Sequence, residues 1–173
     1  GAVGAAFPFT GDAVITGSLT IRGGFSSFRT DETNIILGSG SGDSLQSSAV
    51  SNVIVGVEAG QGIETKDFNV IIGHQAVQTG NQVDNVVAIG YRAGQAYNAD
   101  SSVFIGTNAG SDYRSGNNNI VIGHETADNR ENGGSDNIFI GKTAAGSGLG
   151  DANGNYNIAL GTEAGKALTA GAQ

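Results

Sequence analysis

An all-β solenoid, a β-roll of eight coils of about 17 residues, is the fold class this sequence predicts, and three observations carry the prediction. One short apolar run recurs eight times at nearly constant spacing. Each copy ends in glycine. Three residues after that glycine stands a small residue, usually alanine.

The eight runs are NIILG (34–38), NVIVG (52–56), NVIIG (69–73), VVAIG (86–90), SVFIG (102–106), NIVIG (119–123), NIFIG (137–141) and NIALG (157–161). Their closing glycines, Gly38, Gly56, Gly73, Gly90, Gly106, Gly123, Gly141 and Gly161, are 18, 17, 17, 16, 17, 18 and 20 residues apart. Self-similarity at so short a period marks a stacked architecture in which each unit buries its apolar face against its neighbours. The step is too short for a helix–turn–helix repeat. It suits one coil rising ~4.8 Å, or ~40 Å over the whole repeat region.

Within a coil, the run before the glycine reads as a strand of roughly five residues. Glycine ends it by allowing a backbone turn that a Cβ would obstruct. The small residue that follows, at Ala59, Ala76, Ala93, Ala109, Ala144 and Ala164 with Ser41 and Thr126 as exceptions, suits a second, inward segment where the coil is thin. Asn opens six of the eight runs. It tolerates turn conformations, and stacked Asn side chains could form a ladder between coils. Polar connections such as SDYRSGNN and DNRENGGSD carry the length variation and are expected on the outside.

Side chains alternate along a strand, so each run has two faces. One residue before the glycine stand Leu37, Val55, Ile72, Ile89, Ile105, Ile122, Ile140 and Leu160. Three before it stand Ile35, Val53, Val70, Val87, Val103, Ile120, Ile138 and Ile158. Both columns are uniformly aliphatic, and they are expected to form the coil's own core. Between them run Ile36, Ile54, Ile71, Ala88, Phe104, Val121, Phe139 and Ala159, pointing the other way. A row of eight apolar side chains is a patch that monomers rarely leave uncovered. The middle column is therefore expected to face identical chains in a cyclic oligomer, a parallel homotrimer. The alternative is a pair of coil faces inside one thicker solenoid.

Composition narrows the function classes. Thirty glycines, one proline, seven Phe, four Tyr and no Trp, Met or Cys make a small-residue chain without a disulfide framework. The glycines do not fall at every third position, which excludes collagen. The net charge is −8. Arg22, Arg29, Lys66, Arg92, Arg114, Arg130, Lys142 and Lys166 stand singly rather than in the basic stripe of a nucleic-acid binder. No apolar run approaches a transmembrane helix, so neither nucleic acid nor membrane insertion is expected. The start, GAVGAAFPF, has no basic n-region and does not read as a secretory signal. A fragment or processed product is the expectation.

No catalytic constellation emerges, and the chain is expected not to be an enzyme and to hold no cofactor or metal. His74 and His124 both follow a strand glycine, three coils apart, too far for one chain to chelate an ion with both. Three copies of one His around an axis are the remaining arrangement for a metal; solvated turn histidines are the simpler reading. GSGSGDSL (38–45) has Gly directly before Asp and occurs once, unlike a calcium-binding β-roll series. DANGN (151–155) lacks the glycine and glutamate that an EF-hand loop needs further on. Aspartates and glutamates are spread among the loops, with no pair placed for glycan cleavage. In the connections, Tyr113 with Arg114, and Tyr156, are the groups best suited to stack on or bond a receptor glycan.

The strand-glycine signature IGHQA, IGYRA, IGTNA and IGTEA resembles the head repeats of YadA-like trimeric autotransporter adhesins. There an SVAIG strand recurs in a β-roll, three of which pack around a threefold axis; SVFIG at 102–106 is the nearest copy here. The coils of this chain are longer than those of the adhesin heads. Longer Asn- and Gly-rich connections are similar to those of phage tail fibres, and FPFTGDAVITGSLTIRG (7–23) resembles the lead-in of such virion fibres. The resemblance implies a trimeric shaft, with residues 1–33 as a lead-in of short strands and 34–173 as the repeat domain. It also implies a location on a virion and partners among other fibre or baseplate proteins, with host attachment to a surface glycan or protein. A bacterial surface adhesin head and a glycan-cleaving tailspike are the alternative readings.

Overall fold

The computed structural model describes residues 34–81, 83–128, 133–146 and 154–166. The lead-in expected at 1–33, with its strands AVITG and LTIRG, lies outside the described residues, as do parts of the connections expected at 128–136 and 147–156. Among the described residues the only regular elements are eight strands: β1 (Ile35–Leu37), β2 (Val53–Val55), β3 (Val70–Ile72), β4 (Val87–Ile89), β5 (Val103–Ile105), β6 (Ile120–Ile122), β7 (Ile138–Ile140) and β8 (Ile158–Leu160). They form one parallel sheet in chain order. The register pairs equivalent residues without a slip, Ile54 on Ile71, Ile71 on Ala88, Ala88 on Phe104 and onward. This is the expected solenoid.

Each strand has three residues rather than the expected five, because specialised chemistry takes over at both ends. At the entry, Asn side chains continue the hydrogen-bond ladder. Asn52 Oδ1 accepts from the main-chain N–H of Asn69 at 3.0 Å and from its Nδ2 at 3.1 Å. Asn119 Oδ1 does the same for Asn137 at 3.0 and 3.1 Å, and Asn137 Oδ1 for Asn157 at 2.9 Å in both bonds. The ladder that the repeated Asn suggested is therefore present. It is interrupted where Val86 and Ser102 replace Asn. Ser102 Oγ still accepts the main-chain N–H of Asn119 at 2.9 Å, whereas Val86 has no side-chain acceptor to offer the next coil.

At the exit, the closing glycines turn at φ of +131° to +137° from Gly38 to Gly141. The requirement is twofold, since the position is strained for an L residue and the coils also stack tightly there. A Cβ on Gly73 would lie 2.3 Å from the carbonyl oxygen of Gly90.

After the glycine the chain enters the second inward segment. Ala59, Ala76, Ala93, Ala109, Thr126 and Ala144 are fully buried. Their carbonyls carry a second ladder, accepting from Gly42, Gly60, Val77, Gly94, Gly110 and Ala127 N–H at 2.8–3.1 Å in the order Ala59, Ala76, Ala93, Ala109, Thr126, Ala144.

The two strand faces are the reverse of the sequence expectation. Ile54, Ile71, Ala88, Phe104, Val121, Phe139 and Ala159, expected at a trimer interface, are the buried centre of each strand and fill the chain's own core. Ile36 belongs to the same column but is 40% exposed in the first coil. Leu37, Val55, Ile72, Ile89, Ile105, Ile122, Ile140 and Leu160, expected as coil core, point to the outer side and are half-buried or exposed. So is the column Ile35, Val53, Val70, Val87, Val103, Ile120, Ile138 and Ile158.

The physical reason lies in how the thin core shares its volume. Across the coil from the middle column stands a position that is Gly60, Gly94 or Gly110 where the residue three further on is large, namely Ile63, Tyr97 or Tyr113. Where it is Val77, the residue three further on is Gly80. A Cβ on Gly94 would lie 3.1 Å from the Phe104 ring, and one on Gly133 would lie 2.1 Å from the Tyr113 ring. Interiors pack at crystal density, so a size change at one position is compensated at another. Variation in the middle column records that compensation. The outer columns repeat the same aliphatic residues because each coil presents them to the same surroundings.

Candidate interaction face

The outer side of the sheet is a strip two aliphatic columns wide and eight strands long, built by the reversed faces just described. Its long margins are also stacked in register. On the entry side, just before the Asn ladder, stand Ser51, Phe68, Asn85, Ser101, Asn118, Asp136 and Tyr156, all with φ of +57° to +62°. Their main-chain N–H groups bond back one coil, as Phe68 does to Val50 O at 3.2 Å and Asn85 to Asp67 O at 3.2 Å. On the exit side, just after the closing glycine, stand Ser39, Val57, His74, Tyr91, Thr107, His124, Lys142 and Thr162. Their carbonyls accept from the residue after the equivalent position in the following coil: Gln75 N–H to Val57 O at 3.0 Å, Arg92 N–H to His74 O at 3.0 Å and onward to Glu163 N–H on Lys142 O at 2.9 Å.

The exit margin is ordered by side chains as well. The His74 and Tyr91 rings are 5.5 Å apart, and the Arg92 guanidinium lies 5.0 Å from the Tyr91 ring centre. Arg92 Nε donates to Gln75 Oε1 at 2.9 Å, and Gln75 Nε2 donates to Glu58 Oε2 at 2.8 Å. A further column behind the entry margin ties coils together: the main-chain N–H groups of Val50, Asp67 and Asp84 donate to Oδ1 of Asp67, Asp84 and Asp100 at 2.7, 2.7 and 2.8 Å. Lys66 Nζ stands 3.2 Å from Asp84 Oδ2.

Of the residues expected to contact a receptor, the structure separates Tyr113 from the other two. Tyr113 is fully buried. Its hydroxyl donates to Gly134 O at 2.6 Å, and its ring stands 5.9 Å from Phe104 and 6.3 Å from Tyr97. It is a core residue, because Gly133 leaves the room that its ring occupies, as Gly110 does for the neighbouring Phe104 ring. Arg114 is outside, with Nη2 3.9 Å from Asp112 Oδ1. Tyr156 is 79% exposed on the entry margin.

Sequence reasoning missed Tyr97, the second buried tyrosine. Its hydroxyl is 2.7 Å from Ser102 Oγ and donates to Gly116 O at 2.7 Å. Desolvation pushes this phenol well above its ordinary pKa, against a smaller opposing effect of the Ser102 hydrogen bond. The signal was present: AGQGI, AGQAY and AGSDY place a large residue three after the second glycine in three coils.

His74 and His124 sit exposed in one margin column, as the spacing implied. Among the described residues no three His, Asp or Glu side chains converge to hold a metal ion. A surface hollow of about 100 Å³ is lined by Glu125, Asp128, Thr143, Gly146 and Lys166. Among the described residues no helix is long and apolar enough to cross a membrane. No protein family, curated protein or solved structure matches the chain.

Proposed function

We propose that this chain is a shaft segment of a virion fibre, of the phage tail or neck type, acting as a non-enzymatic parallel homotrimer. One observation carries the reading. An unbroken ladder of eight parallel strands bears, along its whole outer side, a continuous strip of Val, Ile and Leu that the described residues leave half-buried or exposed. Such a strip on a rod is a surface made for association. Identical chains that meet along a strip parallel to their long axis close into a ring around that axis. The interface of this trimer is the outer pair of columns, with Val70, Ile72, Val103 and Ile105 near its middle.

The main-chain ladders and Asn stacks then supply what a shaft needs, namely resistance to bending and to proteolysis along its length. Other fibre or baseplate proteins would attach at the ends of the rod. Exposed groups such as Arg114 and Tyr156 are the parts of the surface suited to touch a host glycan or protein.

Two measurements test this. Sedimentation equilibrium of the chain should give three times the monomer mass; a stable monomer would sink the trimer. Labelled antibody should decorate particles along a fibre. Labelling confined to a bacterial outer membrane would transfer the chain to the adhesin class, whose head repeats it also resembles.

A further inference from the structure

In a ring of parallel chains, the entry margin of one strip abuts the exit margin of the next at the same height. This follows from cyclic symmetry, since such a contact joins two different edges of the same surface. The two margins can therefore be read against each other coil by coil.

Phe68 and Tyr156 are the two aromatic residues of a column otherwise made of Ser, Asn and Asp. A bulky aromatic at φ +60° is an outlier, because this left-handed region favours Gly, Asn and Asp, and its neighbours in the column are Ser51 and Asn85. The repeated turn imposes that φ on all seven members of the column, so it is the exposed ring and not the backbone that calls for a partner. Phe68 is also 59% exposed. At the same height on the opposite margin stands His74, bracketed one coil either way by Val57 and Tyr91, which are 48% and 38% exposed. No other stretch of that margin is as apolar. Two exposed apolar side chains, Val57 and Tyr91, thus flank the height at which the one exposed aromatic of the central entry margin stands.

Of the remaining heights, Ser51 is level with Val57, Asn85 with Tyr91 and Tyr156 with Thr162. Ser101 is level with Thr107, and Asn118 with His124. At the seventh strand the single acidic residue of the entry margin, Asp136, is level with the single cationic Lys of the exit margin, Lys142.

We propose that adjacent copies of this chain meet in register along a seam in which Phe68 of one copy seats among Val57, His74 and Tyr91 of the next and Asp136 pairs with Lys142. The inference rests on the trimer reading above and adds to it the direction, the register and the residues that set both. Register needs setting, because the aliphatic strip alone is nearly the same at every height and would allow a slip of one coil. A slip of one coil would oppose Asp136 to His124 or Thr162 and so lose its pairing with Lys142. The seam residues penalise that alternative.

The chain has no cysteine, so engineered pairs report without background. Two full-length variants are made, Phe68→Cys with His74→Cys, and Asp136→Cys with Lys142→Cys. Within one chain a strand and its closing glycine separate each pair by roughly 15 Å, too far for an internal disulfide. Under mild oxidation both variants are expected to give covalent trimers on a non-reducing gel, and the mismatched pair Phe68→Cys with Lys142→Cys to give none. Separately, Asp136→Lys is expected to weaken assembly at least tenfold, and the exchange Asp136→Lys with Lys142→Asp to restore it within a few-fold. A trimer by sedimentation that neither cross-links at matched pairs nor responds to the charge exchange overturns the seam and leaves the trimer standing. So does efficient cross-linking of the mismatched pair. A monomer at every concentration overturns the trimer and the seam with it.

Discussion

A Cβ placed on Gly110 would stand 2.4 Å from the Cε1 atom of Phe104. The backbone there has φ +58°, so glycine is required for its conformation and for the space it leaves. Gly110→Ala is expected to cost about 3 kcal/mol, combining left-handed strain with overpacking. Phe104→Leu in the same chain should recover part of that loss, since a smaller side chain removes the clash but not the strain. Urea unfolding at one fixed chain concentration measures both variants and their double mutant. Additive costs would show that the two residues do not share the space.

The Asn ladder should be energetically uneven along the rod. Asn119 is fully buried; its Oδ1 satisfies both the N–H and the Nδ2 of Asn137, and its own Nδ2 donates to Gly116 O at 2.8 Å. Asn119→Ala leaves a buried main-chain donor without its partner and should cost about 2–4 kcal/mol. Asn157 is only half-buried and donates to Asn137 from the last described coil of the ladder. Asn157→Ala should cost about 1 kcal/mol. Equal losses in a thermal or urea titration would refute the ladder as a graded stabiliser.

How much of this was legible beforehand follows from the same residues. The period located all eight strands, and the closing glycine and the alanine after it were assigned their turning and inward roles correctly. The faces were not legible from alternation, which separates Ile71 from Ile72 but does not say which one points inward. Uniformity of a column does not mark a core here, since a thin core is where sizes must vary to compensate. Phe104 beside Gly94 and Gly110 was the available clue. Tyr113 was misplaced for the same reason: surrounded by Ser, Asp and Arg it reads as a loop residue, and only its spacing from Gly110, shared with Tyr97 and Gly94, marks it as core.

Tyr97 gives the rod an alkaline limit. Its folded pKa is raised by burial, above the ordinary phenol value of about 10. The folded state therefore holds the proton more tightly than the unfolded chain. The stability linked to it is fully present below pH ~10 and is lost above that, by about 1.4 kcal/mol per pH unit, as the unfolded tyrosine ionises first. Unfolding free energies should be nearly level from about pH 8 to 9 and should approach this slope above about pH 10. Tyr97→Phe should be less stable at pH 8, having lost the bonds to Ser102 and Gly116, and its contribution to the alkaline slope should vanish. An unchanged slope in that variant would assign the alkaline limit to another group.

The neighbours Ile71 and Ile72 provide the sharpest test of the face assignment. Ile71 is fully buried within its own chain, and Ile72 beside it is half-buried on the outer strip. Ile71→Asp puts a carboxylate among Ile54, Ala88 and the inward alanines, where neither water nor a cation can reach it. More than 4 kcal/mol of destabilisation is expected, enough to unfold the central coils. Ile72→Asp leaves the carboxylate partly hydrated in the single chain, so the coil should still form. In the trimer it would bring three like charges together in an apolar seam, and assembly should fail. The two variants therefore separate folding from association. Far-UV circular dichroism should be lost for Ile71→Asp and kept for Ile72→Asp, and sedimentation should show Ile72→Asp as a folded monomer. If Ile72→Asp instead sedimented as an intact trimer, the outer strip would not be the surface that joins the chains.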